Sequence, residues 1–271
     1  MSVAHVPKTI YNDLPLPGGA RTFGFSTAAQ IGCDLVSNLI QDARSMNKFY
    51  VVSVIGQRTG HLALEIGRAS AATITIIPED FAGLKGPLTL KHLCDMVEAS
   101  IYVRKSMKKE YGLALISEGC VDLMAPAEVK EFFSEDSHAQ ELPLVMIKEL
   151  NRRLSARSVG GDLEAGWVGA SCRAGAPNAQ DINLARALGY GAVHFLRKGG
   201  NGAIVSISNE KLVSIKFSDV INRKTRATKV RPVDTSGLSY QVAQSYMLRL
   251  RSSSFADPGA LTKLCKVSKM S

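Results

Sequence analysis

The chain has 271 residues, of which 45% are hydrophobic and 21% charged, and its formal net charge is +9. That supplies a proper core for one large or two small domains, with the balance of a soluble globular protein. It excludes a membrane-spanning chain, because no run approaches the roughly 18 apolar residues a span needs.

The N-terminus, Met1-Ser2-Val3-Ala4-His5, has no basic region followed by an apolar one, so no secretion signal is expected. Five cysteines (Cys33, Cys94, Cys120, Cys172, Cys265) are scattered without a Cys-x-x-Cys pair. That suits reduced thiols in a cytoplasmic protein and offers no zinc site. A basic chain suits nucleic acid, a membrane surface or anionic metabolites. The densest basic run, 223–231, lacks the interleaved aromatics on which single strands stack. Phosphorylated small molecules are therefore favoured over nucleic acid, and 223–231 itself reads as a solvated basic loop.

In chain order, Pro7-Lys8-Thr9-Ile10-Tyr11-Asn12-Asp13 comes first, followed by Pro15, Pro17, Gly18 and Gly19. On composition alone this is ordinary turn chemistry. If the segment is extended, alternate side chains share a face, which sets Tyr11 and Asp13 together. Ala28, Ile31, Leu35, Leu39 and Ala43 then recur at helical spacing, with Ser26 or Thr27 as cap. Residues 50–55 and 73–77 read as buried strands on either side of a turn, Gly56-Gln57-Arg58-Thr59-Gly60-His61, and a helix through Ala71. This is a strand–helix–strand unit of a parallel sheet, whose carboxyl edge is where ligands bind. A helix over 88–107 and a strand over 112–117 follow, with Glu118 at the strand's end. Taken alone, Glu118 reads equally well as a capping or surface carboxylate. A short helix with a polar loop (125–138), a helix over 142–154 and a glycine loop at 160–162 come next. Asp181 begins a helix to about 197, and Gly199-Gly-Asn-Gly202 turns into a strand. No Walker loop or Gly-x-Gly-x-x-Gly fingerprint occurs, so these glycines read as a bare turn. A strand near 212–215, the basic loop, a helix over 240–250 and a polar, loose tail complete the chain.

Several of these stretches, in this order, resemble the phosphofructokinase family, in particular its pyrophosphate-dependent branch. Residues 7–13 match its catalytic loop Pro-Lys-Thr-Ile-Asp-Asn-Asp at six of seven positions. The exception is Tyr11, which stands where the family carries the aspartate that takes the proton from the sugar hydroxyl. A phenol titrates near pH ~10 and is a poor base at neutrality, and loss of a positioned base costs ~10²–10⁴ in rate. The resemblance leaves Asp13 to help hold Mg²⁺ or to substitute weakly as base. It implies a donor-binding role for Lys8, favouring pyrophosphate over ATP. It implies substrate-binding roles for Thr9, Lys48, Ile55, Gly56, Gln57, Glu118 and Arg173. Thr22-Phe-Gly-Phe-Ser-Thr27 resembles the opening of the family's sugar-binding domain. Ile55-Gly56-Gln57 stands at the family's Met-Gly-Arg, so the phosphate-holding arginine is absent at 57 and Arg58 is adjacent. Lys48 occupies a basic position that in the family reaches a sugar phosphate across a subunit interface. Residues 166–173 align with a family strand of which Arg173, a sugar-phosphate contact, is kept. Leu188-Gly-Tyr-Gly-Ala-Val193 matches the pyrophosphate branch.

The fold implied is α/β, a Rossmann-like parallel sheet in three layers, lacking most of the N-terminal donor-binding half. No Gly-Gly-x-x-Thr-Ser occurs, and the Gly-Gly-Asp at 160–162 lies late in the chain, so the resemblance implies that both donor-holding loops of the N-terminal half are missing. The implied divisions are 1–21, a remnant of the donor domain with the catalytic loop; 22–173, the sugar-phosphate domain; 174–222, elements returning to the donor domain; and 223–271, basic loop, helix and tail. Helix 181–197 and strand 202–207 are then expected to expose an apolar face and an open strand edge, so that the chain forms a homo-oligomer, joins a partner subunit or is poorly stable alone. Two functions are expected. One is phosphorylation of fructose 6-phosphate to fructose 1,6-bisphosphate in glycolysis, with Mg²⁺ and pyrophosphate or ATP. The other is a catalytically inactive sugar-phosphate-binding or regulatory subunit of such an assembly.

Overall fold

The computed structural model describes residues 1–134, 138–250 and 252–269. Short strands β1 (Ala4–His5), β2 (Lys8–Thr9) and β3 (Phe23–Gly24) lead into α1 (Phe25–Met46). Next come β4 (Lys48–Val54), α2 (His61–Ser70), β5 (Ile74–Ile76), α3 (Leu90–Ser106) and β6 (Gly112–Ser117). They are followed by α4 (Pro126–Phe132), α5 (His138–Ala156), β7 (Asp162–Val168), α6 (Ser171–Ala174) and α7 (Ala179–Arg197). The hairpin β8 (Ala203–Ser208) and β9 (Lys211–Lys216), then α8 (Phe217–Val220), α9 (Leu238–Tyr246) and α10 (Pro258–Ser268) complete the series.

The described chain forms two compact units, residues 1–32 with 170–233 and residues 33–169 with 234–271. These boundaries differ from the sequence divisions at 21/22, 173/174 and 222/223. The reason lies in the contacts: the stretch up to Val233 is bonded to residues 12–20, whereas α9 and α10 pack on the second unit.

In the larger unit four parallel strands lie in the order β5-β6-β4-β7. The central strand β6 is buried throughout, and β4 is buried except at Lys48, as suits the largely apolar strands of a parallel sheet covered on both faces. Alternate residues of β4 face opposite layers. Phe49 and Val51 join a core cluster with Leu93, Val97 and Ile101 of α3 and Leu142, Met146 and Leu150 of α5. On the other side Val52 approaches Gly166 of β7 beside Leu39 of α1. A side chain at Gly112 would run into the Phe49 ring 2.5 Å away. Helix α3 begins with a reciprocal cap, Thr89 Oγ1 accepting from His92 N (3.3 Å) and Thr89 N donating to His92 Nδ1 (3.2 Å).

The C-terminal stretch departs from the expectation of a helix to 250 and a loose tail. Helix α9 stops at Tyr246 because the next residues run along the edge of β5, where Leu248 N donates to Thr73 O (2.9 Å). Arg249 reaches the Thr75 carbonyl and pairs with buried Asp80 (2.8 Å), which also accepts from the Tyr240 hydroxyl. Leu264 and Val267 of α10 pack on the core cluster.

In the smaller unit a three-stranded sheet has the order β1-β8-β9. β8 is paired on both sides, parallel to β1 and antiparallel to β9. The open edge expected on 202–207 is thus narrowed: 211–216 turns back to cover one side of β8 along its length, and β1 covers the other at Ala203 and Ile204. The expected apolar exposure is present on α7, where Ile182, Tyr190 and Val193 face outward. The starts of α1 and α7 are joined by Asp181, which is 1% exposed. Its carboxylate accepts from Gly24 N (3.0 Å), Thr27 N (2.7 Å) and Thr27 Oγ1 (2.5 Å), while Asn178 caps α7 by accepting from Asp181 N (3.0 Å). Asp181→Ala strands the amides of Gly24 and Thr27 in the interior. It is expected to cost ~2–3 kcal/mol of stability in chemical denaturation; a change under about 0.5 kcal/mol would show that those amides find other acceptors.

Candidate functional site

The segment 7–13 is fixed by its own side chains. β2 pairs in parallel with β3, Lys8 opposite Phe23 and Thr9 opposite Gly24. Pro7 O accepts from Phe23 N (2.9 Å), and Thr22 Oγ1 donates to Thr9 O (2.6 Å). After Thr9 the chain bends. Asn12 takes a left-handed backbone (φ 56°), a conformation asparagine tolerates. Its buried side chain accepts from Thr22 N (3.2 Å). Thr9 Oγ1 accepts from Tyr11 N (3.1 Å) and lies 3.4 Å from Asp13 Oδ1, toward which it donates. The segment is thus a turn beyond Thr9, not an extended strand. Asp13 is placed by the Thr9 hydroxyl and the Asn12 pivot rather than by strand alternation with Tyr11. Lys8 points to solvent, Ile10 is buried and Tyr11 half-buried.

At the carboxyl edge of the larger sheet the loop after β4 is laced to its neighbours. Ile55 N donates to Val168 O at the end of β7 (3.0 Å). Gly56 N and Gln57 N both donate to Glu118 Oε1, at 2.9 and 2.7 Å. Gly60 N donates to both oxygens of Glu79 (3.2 and 3.1 Å), and Ser117 Oγ donates to Thr59 O (3.1 Å). Gln57 has φ 48°. A side chain on Gly56 would meet Thr59 O at 2.8 Å, and one on Gly60 would overlap Ile77 at 2.3 Å. Glu79 escaped the sequence reading. Its signal was the strand end itself, since an acid just past a parallel strand lies at the edge where loop amides need acceptors.

Ile55, Gly56, Gln57 and Glu118 are therefore brought together, as are Lys8, Thr9, Tyr11 and Asp13. Lys48 opens β4 at the opposite end of the sheet, roughly 20 Å from Glu118 at ~3.3 Å per residue. It bonds to Glu164 (2.6 Å), with Asp162 at 4.0 Å, across the β4–β7 pair. The bond to Glu164 holds its ammonium above the usual lysine pKa. Arg173 is not on a strand. β7 ends at Val168, and the backbone turns helical at Ala170, so that Arg173 sits exposed on α6 with its amide bonded to Ala170 O (2.9 Å). Cys172 beside it is buried and anchors the turn. Among the described residues no three His, Cys, Asp or Glu side chains gather to hold a metal ion. Asp13 offers one carboxylate, which is less than a complete Mg²⁺ site, although this ion takes much of its shell from water and phosphate.

A family model described as Phosphofructokinase matches residues 1–196. A pyrophosphate–fructose 6-phosphate 1-phosphotransferase of Thermotoga maritima is 40% identical over 274 residues, covering 96% of this chain and 65% of that protein. Its namesake in Naegleria fowleri is 35% identical over 284 residues, covering 99% and 65%. The chain thus spans about 65% of the length of these relatives. Among solved structures, a pyrophosphate-dependent phosphofructokinase from Marinobacter aquaeolei is similar at TM-score 0.63 and 16% identity, covering 93% of this chain and 61% of that one. Pichia pastoris phosphofructokinase gives 0.63 at 17% identity, covering 93% and 28%. These two share the fold. With the model matching most of its length, the chain belongs to the phosphofructokinase family.

Proposed function

We propose that the chain carries the sugar-phosphate side of a phosphofructokinase-type phosphotransferase, with fructose 6-phosphate as acceptor and pyrophosphate, in preference to ATP, as donor. The observation that carries this is the turn at 9–13, in which a threonine hydroxyl and an asparagine pivot set one carboxylate, Asp13, beside a half-buried Tyr11. Phosphoryl transfer to an alcohol asks for positioning and charge stabilisation more than for covalent chemistry. Glu118 uses Oε1 to hold the amides of Gly56 and Gln57, which leaves Oε2 to accept from a sugar hydroxyl. Arg173 and Arg58, both exposed, are the cations suited to the sugar phosphate. Lys8 faces solvent on the catalytic segment, where it can meet the donor. Mg²⁺, when bound, supplies neutralisation of charge on the transferring group. Lys48 lies at the far edge of its own sheet, which suits service to a neighbouring copy. The names of the Thermotoga and Naegleria relatives support the same acceptor and donor.

Tyr11 favours a second reading, a subunit that binds the sugar phosphate without turnover. A phenol in place of a carboxylate removes the base and leaves the binding groups. Two measurements separate the readings: formation of fructose 1,6-bisphosphate from fructose 6-phosphate with pyrophosphate or ATP, and calorimetric binding of fructose 6-phosphate. Turnover supports the transferase, and binding without turnover supports the subunit; the absence of both overturns the proposal. Glu118→Ala is expected to weaken sugar-phosphate binding by ~10-fold or more, because it removes an acceptor and frees two loop amides. Tyr11→Asp in the isolated chain is expected to raise product formation by less than about tenfold. A rise of ~10² or more would locate the whole defect at the missing base.

A further inference from the structure

We infer that Arg231 is the positioning residue for the turn that carries Asp13. Four backbone carbonyls of residues 12–20 receive hydrogen bonds from this one residue. Its amide donates to Asp13 O (2.7 Å). Its guanidinium donates through Nη2 to Asn12 O (2.7 Å) and through Nη1 to Ala20 O (3.1 Å) and Leu16 O (3.3 Å). The first two carbonyls lie on the limb that ends the catalytic segment, and the others on the limb that returns to β3. The fork therefore ties both limbs to one plane.

The chemistry selects arginine for this task. Residues 10–16 form no strand ladder and no helix, so their carbonyls need partners from elsewhere. A guanidinium presents five donors in fixed directions and stays charged when partly buried, whereas an ammonium presents three from a single point. Burial lowers the pKa of Arg231 from its ordinary value, and the nearby Asp13 carboxylate works the other way. The residue is also held from behind. Lys229 N donates to Val220 O (2.7 Å), Asn222 N to Ala227 O (2.8 Å), and Ile221 bridges to Thr228. The basic run 223–231, which reads from sequence as a solvated loop, is thus a short hairpin whose last cation turns inward. The left-handed Asn12, which sets where Asp13 points, keeps its carbonyl on the Nη2 atom of this side chain.

This rests on reading 7–13 as the acceptor side of the transfer site, and the test separates the two claims. In the full chain, Arg231→Met and Arg231→Lys are compared with Arg153→Met, which breaks an ion-pair group in the other unit where Arg153 bonds Asp95 and Glu149. Hydrogen exchange is followed over 8–22 and over 112–118, together with kcat and KM wherever turnover is found. Arg231→Met is expected to speed exchange over 8–22 by ~10-fold or more while 112–118 is unchanged. Arg231→Lys is expected to recover less than half of that protection. Where the chain turns over, kcat falls ~10²-fold with KM for fructose 6-phosphate little changed, the signature of a misplaced reacting group. Faster exchange over 8–22 in a chain without turnover sustains the positioning role and removes only the catalytic reading. Equal acceleration in both segments, full recovery by lysine, or unchanged exchange over 8–22 would overturn the inference.

Discussion

The carboxyl edge of a parallel sheet leaves backbone amides without ladder partners, and here two carboxylates take them up. Glu118 follows β6 and holds the amides of Gly56 and Gln57, and Glu79 follows β5 and holds that of Gly60. Strand order makes this possible. β4 lies beside β6, and β6 beside β5, so the loop leaving β4 passes within reach of both acids. The glycines at 56 and 60 follow from the same crowding. This edge is thereby ordered by its own side chains, and a surface ordered in advance costs little to reorganise on binding.

Much of this was legible in the sequence because β4 and β6 are short, largely apolar runs and α1 and α3 keep a clear helical period. What escaped has identifiable causes. Arg173 was placed on a strand because residues 166–173 align with a family strand, but the helical backbone at Ala170 ends the strand first. Helix α10 was read as loose because its apolar residues are sparse and diluted by Lys and Ser; only the core groove beside α3 gives them a place. Arg231 sits at the end of a cationic run, and nothing in such a run says which member turns inward. The alternation argument for Asp13 failed at one residue, Asn12, whose left-handed backbone leaves no mark in the sequence beyond the residue type.

Tyr11 has a particular meaning within the phosphofructokinase family. The turn around it is held by the Thr9 hydroxyl, which bonds both Tyr11 N and Asp13, and by the buried side chain of Asn12. A turn fixed in this way by its neighbours can carry different side chains, which is how fold and chemistry come to be separable.

The strip formed by Leu248 and Arg249 along β5 also acts as a guard. An outermost strand with bare amides and carbonyls is a template for pairing with other molecules. Here the residues after α9 take Thr73 and Thr75 carbonyls out of play, and Asp80 clasps Arg249 to keep them there. Proteolytic clipping beyond Val233 would uncover that border and trade a shielded sheet for one inclined toward fibrous association.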